Sequence, residues 1–383
     1  MAQPRPLNGI KVLEMQGLAP SPFCGMILAD FGADVVVVER VTKDMPQIPD
    51  RMRKNPFYRG KRIIRINLKG REGKEILWKI IKGADVLIEP YRPGVMERMG
   101  FGPDEVFKTN PKIVYARLTG WGQDGPYSKI AGHDINYIAL SGALSLFRRK
   151  GERPLPPCNL LGDFAGGGML CALGILMALF ERTRSGKGQV VDSAMLDGAA
   201  YLSSMFFGLF YNGFMSRNIG TNRLDGGAHY YQVYESKDGR YVAVGAIESK
   251  FYSELLKGLD RRSQDMPSQE DTSSWEEMKQ KFQEIFKNRT RNEWEEVFKG
   301  KDACVSPVLD IWEVKDHPQN RARNLVYEEE GIIQPSPAPR LSRTPARPGK
   351  IPDMDHTHTK KILASLGYSL DQVERLFKDG VVE

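Results

Sequence analysis

Cysteine and histidine are the scarce residues of this 383-residue chain: it has four of the first and five of the second. Cys24, Cys158, Cys171 and Cys304 lie far apart with no paired spacing. That argues against a disulfide-stapled scaffold and against a Cys-rich structural zinc site. His356 and His358 form "HTH" without a third ligand nearby, so no metal centre is expected. Long hydrophobic runs are missing as well. The longest, "MLCALGILMALF" over 169–180, is too short to cross a bilayer and reads as a buried helix; no membrane span is expected. "MAQPRPLNG" carries no apolar or Arg/Ser-rich amphipathic leader pattern, and "KDGVVE" is not a peroxisomal tripeptide. The expectation is a reduced, cytoplasmic setting; mitochondrial or peroxisomal delivery would need a signal of another kind.

Charge of one sign is not in large excess. There are 55 basic and 48 acidic residues, a net +7, in a chain that is 41% hydrophobic and 27% charged. This is the composition of a globular protein of about two domains. A small basic excess suits a phosphorylated ligand or merely a solvated surface. No RNA-recognition signature and no interleaved aromatics occur, so no nucleic-acid partner is expected.

The first 200 residues alternate apolar β-rich runs with helical ones. "IKVLEM" (10–15), "DVVVVER" (34–40), "RIIRINL" (62–68), "ADVLIEP" (84–90) and "KIVYARL" (112–118) read as strands. "PSPFCGMILADFGA" (20–33) and "REGKEILWKIIKG" (71–83) read as helices, the first with proline in its opening turn. Unbroken Val/Ile runs separated by helices predict a parallel sheet covered on both faces. Helices are expected over 133–144, 164–182 and 195–212, with a strand within "GKGQVVDSAM" (186–195). From about 225 the texture changes. "HYYQVYESKDGRYVAVGAI" predicts a hairpin turning at "KDGR". Helices near 249–258, 274–287 and 291–299 follow, then a strand at "ACVSPVL" (303–309). "IIQPSPAPRLSRTPARPGKIP" (332–352) predicts an extended connector, and two short helices close the chain. The fold class is therefore α/β, a Rossmann-like large domain over 1–200. A linker follows over 201–224, then a smaller α+β domain over 225–325 and a return segment over 326–383.

Four groups of residues could carry chemistry. "GWGQDG" (120–125) is a literal G-x-G-x-x-G, but Pro126 follows it and no acid lies at the right distance; it reads as a turn or lid rather than a dinucleotide site. Asp163, in "NLLGDFAGGG", heads an apolar helix, where an aspartate can cap free N–H groups or act chemically. Free N–H groups at such a helix start could receive an oxyanion, and Gly166 to Gly168 permit close approach of a backbone or ligand. His133, in "AGHDINY", and Glu248, in "VGAIESKFY", are the third group; a histidine before a helix is a cap or a proton-transfer group. The fourth is basic: Arg40 and Arg92 just past strand ends, Arg98, and Arg59 and Lys61 within "RGKR". Ligands of open parallel sheets sit outside the carboxyl ends of the strands, so phosphate binding is expected there.

Taken together, "LNGIKVLEMQGLAPSPFCGMILADFGADVV", "YRPGVMERMGFGP", "YARLTGWGQDGPYSKIAGHDINYIALSG", "NLLGDFAGGG" and "GKGQVVDSAMLDG" resemble the family III CoA-transferase superfamily. "AGHDINY" resembles its α-methylacyl-CoA racemase branch; transferases of the superfamily tend to carry an aromatic residue where His133 stands. The resemblance implies an interlocked homodimer whose site lies between the large domain of one subunit and the small domain of the other. It implies His133 and Asp163 on opposite sides of the α-carbon of a 2-methylacyl-CoA, with Glu248 orienting His133 and Asn159 supporting Asp163. Arg40 and Arg98 would meet the CoA phosphates, and no cofactor beyond the CoA of the substrate is implied. Branched fatty acyl and sterol side-chain thioesters are the usual substrates, which implies a place in lipid metabolism. The rival is a CoA-transferase with Asp163 as acyl nucleophile; a non-catalytic acyl-CoA binder is the third reading.

Overall fold

The computed structural model describes residues 4–41, 54–353 and 357–383. His356 of "HTH" lies outside the described residues. The chain divides into two compact units: one comprises 1–141, 158–202 and 326–383, the other 142–157 and 203–325.

The first unit is built on six parallel strands: β1 (Lys11–Met15), β2 (Asp34–Glu39), β3 (Arg62–Arg65), β4 (Val86–Glu89), β5 (Val114–Thr119) and β6 (Val190–Ala194). Their order is β3-β2-β1-β4-β5-β6. The chain leaves β1 toward one edge and returns beside it toward the other, which opens a crevice at the carboxyl ends of β1 and β4. Successive side chains point to opposite faces of a strand. Thus Leu13, Met15, Val36, Val38 and Ile64 enter one core with Ile76, Leu77, Ile80 and Ile81 of a helix, α2 (Arg71–Gly83). Val12, Val35, Val86, Ile88, Val114 and Ala116 enter another, with Cys24 and Leu28 of α1 (Pro20–Asp30) and Cys171, Ile175 and Ala178 of the long helix described below. Two buried faces explain why these strands read as continuous apolar runs.

Between β4 and β5 lie α3 (Val95–Met99) and α4 (Pro103–Thr109). After β5 comes α5 (Asp134–Leu140), shorter than the expected 133–144; Gly142, at φ +85°, takes the chain out of helix. The helix expected over 164–182 is longer. A ten-residue π-helical segment over Leu160–Met169 runs straight into α6 (Leu170–Ser185). Its burial departs from expectation. One face packs in the core, but Met177 and Phe180 on the other are 61% and 66% exposed, as are much of Met169, Leu173 and Leu176. Their spacing of three and four residues makes one apolar stripe. The helix expected over 195–212 is two, α7 (Met195–Leu202) and α8 (Ser204–Tyr211), because the backbone leaves helical geometry at Ser203. Serine hydroxyls compete for helix backbone groups, and two stand together there.

The second unit holds the antiparallel sheet β7 (Tyr231–Glu235), β8 (Tyr241–Gly245) and β9 (Val305–Pro307), with "KDGR" turning between the first two. α9 (Ser249–Gly258), α10 (Trp275–Phe286) and α11 (Arg291–Phe298) bring an aromatic core to it: Tyr230, Tyr234, Phe282, Phe286 and Trp294 are buried together. Thr290 and Glu293 form a capping box at the start of α11. A short α12 (Pro318–Ala322) follows.

The tail rejoins the first unit. Its opening differs from the expected connector: β10 (Val326–Glu329) pairs with β11 (Ile332–Pro335) in a hairpin. Beyond it the chain is irregular and tied down, with the Gly60 N–H donating to the Lys350 carbonyl (2.8 Å). α13 (Thr359–Ser365) and α14 (Leu370–Lys378) then place Ile362, Leu363, Val373 and Leu376 in the core beside α2.

Candidate active site

The loop after β5 and the π-helical segment bring their polar residues to one place. "GWGQDG" is a turn: Gly122 and Gly125 take φ of +86° and +84°, and the Gly122 N–H donates to the Thr119 hydroxyl (3.1 Å). Trp121 then packs edge-on against Tyr127 and Tyr137, with ring centroids 5.2 and 4.7 Å apart. The Tyr137 hydroxyl donates to the Gly132 carbonyl. These contacts fix the backbone just ahead of His133.

His133 is the N-cap residue of α5 and shares a capping box with Asn136, whose side-chain oxygen accepts from the His133 N–H (3.0 Å). Capping does not bury it; the residue is exposed. The other described histidines are engaged. His229 is buried against the Tyr252 hydroxyl (2.8 Å), and burial pushes its pKa down to about 4. His317 pairs with Glu295, and the His358 Nδ1 accepts from the Ile63 N–H.

Asp134, next to His133, is buried and reaches across to the π-helical segment. Its Oδ1 accepts from the Asp163 N–H at 2.7 Å, while its Oδ2 has no hydrogen-bond partner among the described residues. Gly162 is needed for this approach, since a Cβ there would lie 2.4 Å from that Oδ1. Asn159 donates to the Asp163 Oδ2 at 3.1 Å. Burial lifts the half-buried Asp163 carboxyl above its ordinary 3.8; the Asn159 amide opposes this, the Asp134 charge adds to it, and His133 opposes it. Phe164 beside it meets Phe23 edge-on and Phe57 at a tilt, centroids 5.2 and 5.6 Å away, which makes that flank apolar. The expectation of a free N–H at Asp163 is thereby corrected. Its helix starts at Leu160, and the Asp163 amide already has an acceptor in Asp134. The Asp134 amide, the first in α5, has no acceptor among the described residues.

The triple glycine answers to packing. A Cβ on Gly168 would lie 2.6 Å from the Pro20 carbonyl, and one on Gly198 would lie 2.0 Å from the Gly166 carbonyl. α1 and α7 therefore touch the π-helical backbone directly, and the glycines admit protein rather than ligand.

The basic residues divide into two sets. Arg40, Arg92 and Arg98 are exposed, the first past β2 and the others past β4. Gln16, after β1, accepts from the Arg40 N–H (3.2 Å). Arg92 acts on Tyr137, as Asp163 does, so the three share one electrostatic field. Arg59 and Lys61 belong elsewhere: they are 2% and 3% exposed. Arg59 grips both oxygens of Asp30 (3.0 and 2.6 Å), and the Lys61 Nζ meets Glu14 at 2.7 Å and the Pro22 carbonyl at 2.8 Å. Their charges are spent inside the fold, and a phosphate role is withdrawn for both. In the second unit, Glu248 is exposed as the N-cap residue of α9 with no capping bond from its side chain. No cluster of metal-ligating side chains occurs among the described residues.

Among characterised proteins, the chain is 49% identical to α-methylacyl-CoA racemase of Mus musculus and 47% to that of Homo sapiens, each over 98% of this chain and 97% of the relative. A solved CaiB/BaiF family protein from Brucella suis, 24% identical, superposes with a TM-score of 0.79 over 95% of this chain and all of its own. The model of the family described as CoA-transferase family III matches residues 7–356. The chain therefore belongs to CoA-transferase family III.

Proposed function

We propose that the chain is an α-methylacyl-CoA racemase, an isomerase that inverts the α-carbon of a 2-methylacyl-CoA by proton transfer. The observation that carries this reading is a carboxyl biased toward holding its proton, Asp163, anchored through its own amide to the residue beside an exposed imidazole, His133. Two near-half-identical racemases over the whole length support it.

Inversion requires a base on one face of the carbon and an acid on the other. In one direction neutral His133 takes the α-proton, the C–H electrons pass to the thioester oxygen as an enolate, and protonated Asp163 delivers its proton to the opposite face. The products of that turn, imidazolium and carboxylate, are the starting pair for the reverse turn. The proton total is unchanged, so the two groups titrate as a unit. The Asp134 amide, at the start of α5, would receive the enolate oxygen, a donor worth about 3 kcal/mol in barrier when lost. Asn159 holds the Asp163 carboxyl in one rotamer. Arg40, Arg92 and Arg98 take the CoA phosphates at the carboxyl edge of the sheet.

The chain acts as a homodimer in this reading. The exposed apolar stripe of α6 is suited to burial against a second copy. Glu248, supplied by that copy, would orient the His133 ring. The test is incubation of a chirally pure 2-methylacyl-CoA with the protein in heavy water. Loss of optical purity with one deuterium gained at the α-carbon is expected; consumption of a free acid acceptor without exchange would assign a transferase instead.

A further inference from the structure

The second unit contains a cavity of about 880 Å³ with an unusual wall. Tyr231 and Val233 of β7 face into it, and both stay largely exposed where an open sheet face ordinarily carries polar groups. Leu146 and Leu155 extend this apolar floor. At its rim stand Arg148, Arg149 and Arg153, all within the "RRKGER" segment. None of the three guanidinium groups has a hydrogen bond or ion pair among the described residues. Other arginines of the same unit are matched: Arg291 and Arg240 to Glu313, and Arg223 to Glu270. The cavity's own acids do not neutralise the rim. Asp225 is occupied by the Gly220 and Asn222 amides and the Asn222 side chain at 2.8, 2.8 and 2.7 Å, leaving Glu152 alone against three cations. The cavity also borders the proposed positioning residue. Cys304 lines it, and the Glu248 charge bears on the Cys304 thiol.

We propose that this cavity receives the far end of the acyl chain and selects chains that end in a carboxylate, that is, thioesters of ω-carboxy 2-methyl acids. The inference rests on the racemase reading and adds the substrate class. An aliphatic body covers Tyr231, Val233 and the two leucines. A terminal carboxylate presents two oxygens to planar guanidinium forks that lack any other anion. A chain of equal length with a neutral end gains the apolar contact alone.

The test compares an ω-carboxy 2-methylacyl-CoA with its ω-methyl ester in the deuterium-exchange assay. A hydrogen-bonded charge pair at a partly exposed site predicts a KM about tenfold or more lower for the acid. The double variant R149A/R153A is expected to bring the KM ratio toward one, and R149K/R153K to keep part of it because the charges remain. Equal KM values for acid and ester in the unaltered protein, or a preference that survives R149A/R153A, overturn the proposal. A second measurement separates it from the racemase reading: calorimetric titration of free tetradecanedioate and of its dimethyl ester. Binding of the diacid alone, lost in R149A/R153A, supports the cavity assignment even if no thioester exchanges, in which case only the racemase reading fails. Absence of diacid binding together with a changed oligomeric mass in R149A/R153A would assign the arginines to an acidic segment of a second copy and overturn the proposal.

Discussion

Two groups of buried or half-buried carboxylates in the first unit have surroundings that differ in one respect. Asp30 and Glu14 each face a cation, Arg59 and Lys61, at hydrogen-bond distance. Asp163 and Asp134 face amides and each other, with the nearest imidazole exposed. Burial disfavours charge in both places. Where a cation answers it, the pair is a structural element. Where none does, no ion pair ties the carboxyl, and its proton is free to be given away. A charge in the core is thus matched when it must stay and unmatched when it must move.

The comparison breaks most sharply at the proton-transfer pair. His133→Ala and Asp163→Ala should each slow α-proton exchange by about 10²- to 10⁴-fold. CoA binding, measured by titration, and the thermal midpoint should change little. Lys61→Ala should do the reverse. It leaves Glu14 buried without its cation, a loss of about 3–5 kcal/mol in urea unfolding, with exchange per folded molecule largely kept.

Asp134→Asn is a subtler variant. An amide oxygen can still accept from the Asp163 N–H, but the charge that helps lift the Asp163 carboxyl is gone. The limb of the pH–rate profile governed by Asp163 should move to lower pH, while the thermal midpoint stays close to that of the parent. An unmoved profile would mean that Asp134 serves packing only.

The smallest effects are linked to pH. Because the Asp163 pKa is raised in the folded state, the folded chain binds more protons than the unfolded one above 3.8. Stability is therefore lost as pH rises from that value through the folded pKa. Asp163→Asn should unfold at a higher temperature than the parent at neutral pH, and the difference should vanish below the ordinary carboxylate range. Glu89 offers a control away from proton transfer. It is buried at the end of β4 beside Arg117, and burial lifts its pKa to about 7. Stability should decline between 4.5 and about 7 on its account, with the sign again set by the extra proton of the folded state.

Much of this organisation is legible in the chain itself. "DVVVVER" could only be a strand covered on both faces, and alternate valines do enter opposite cores. His133, Asp163 and Asn159 could be named because proton transfer restricts residue types and because the surrounding motifs resemble a known family. Asp134 was in view in "AGHDINY" yet had no visible task, since its partner is the amide of a residue 29 positions away. "RGKR" reads as a phosphate site for the same reason: Asp30 and Glu14, which neutralise it, come to it from other elements. The run 169–180 looked uniformly buried because composition reports hydrophobicity and not which face meets the core.

By itself, then, the sequence determined the alternation of strands and helices, the layered α/β architecture and the chemical types available for proton transfer. Period and residue type are local properties and survive in a one-dimensional string. Only the tertiary structure decided which charges are neutralised, which amide is free at the candidate site and which apolar face is left uncovered. Those depend on distances between residues remote in the chain and on how much water the intervening side chains exclude.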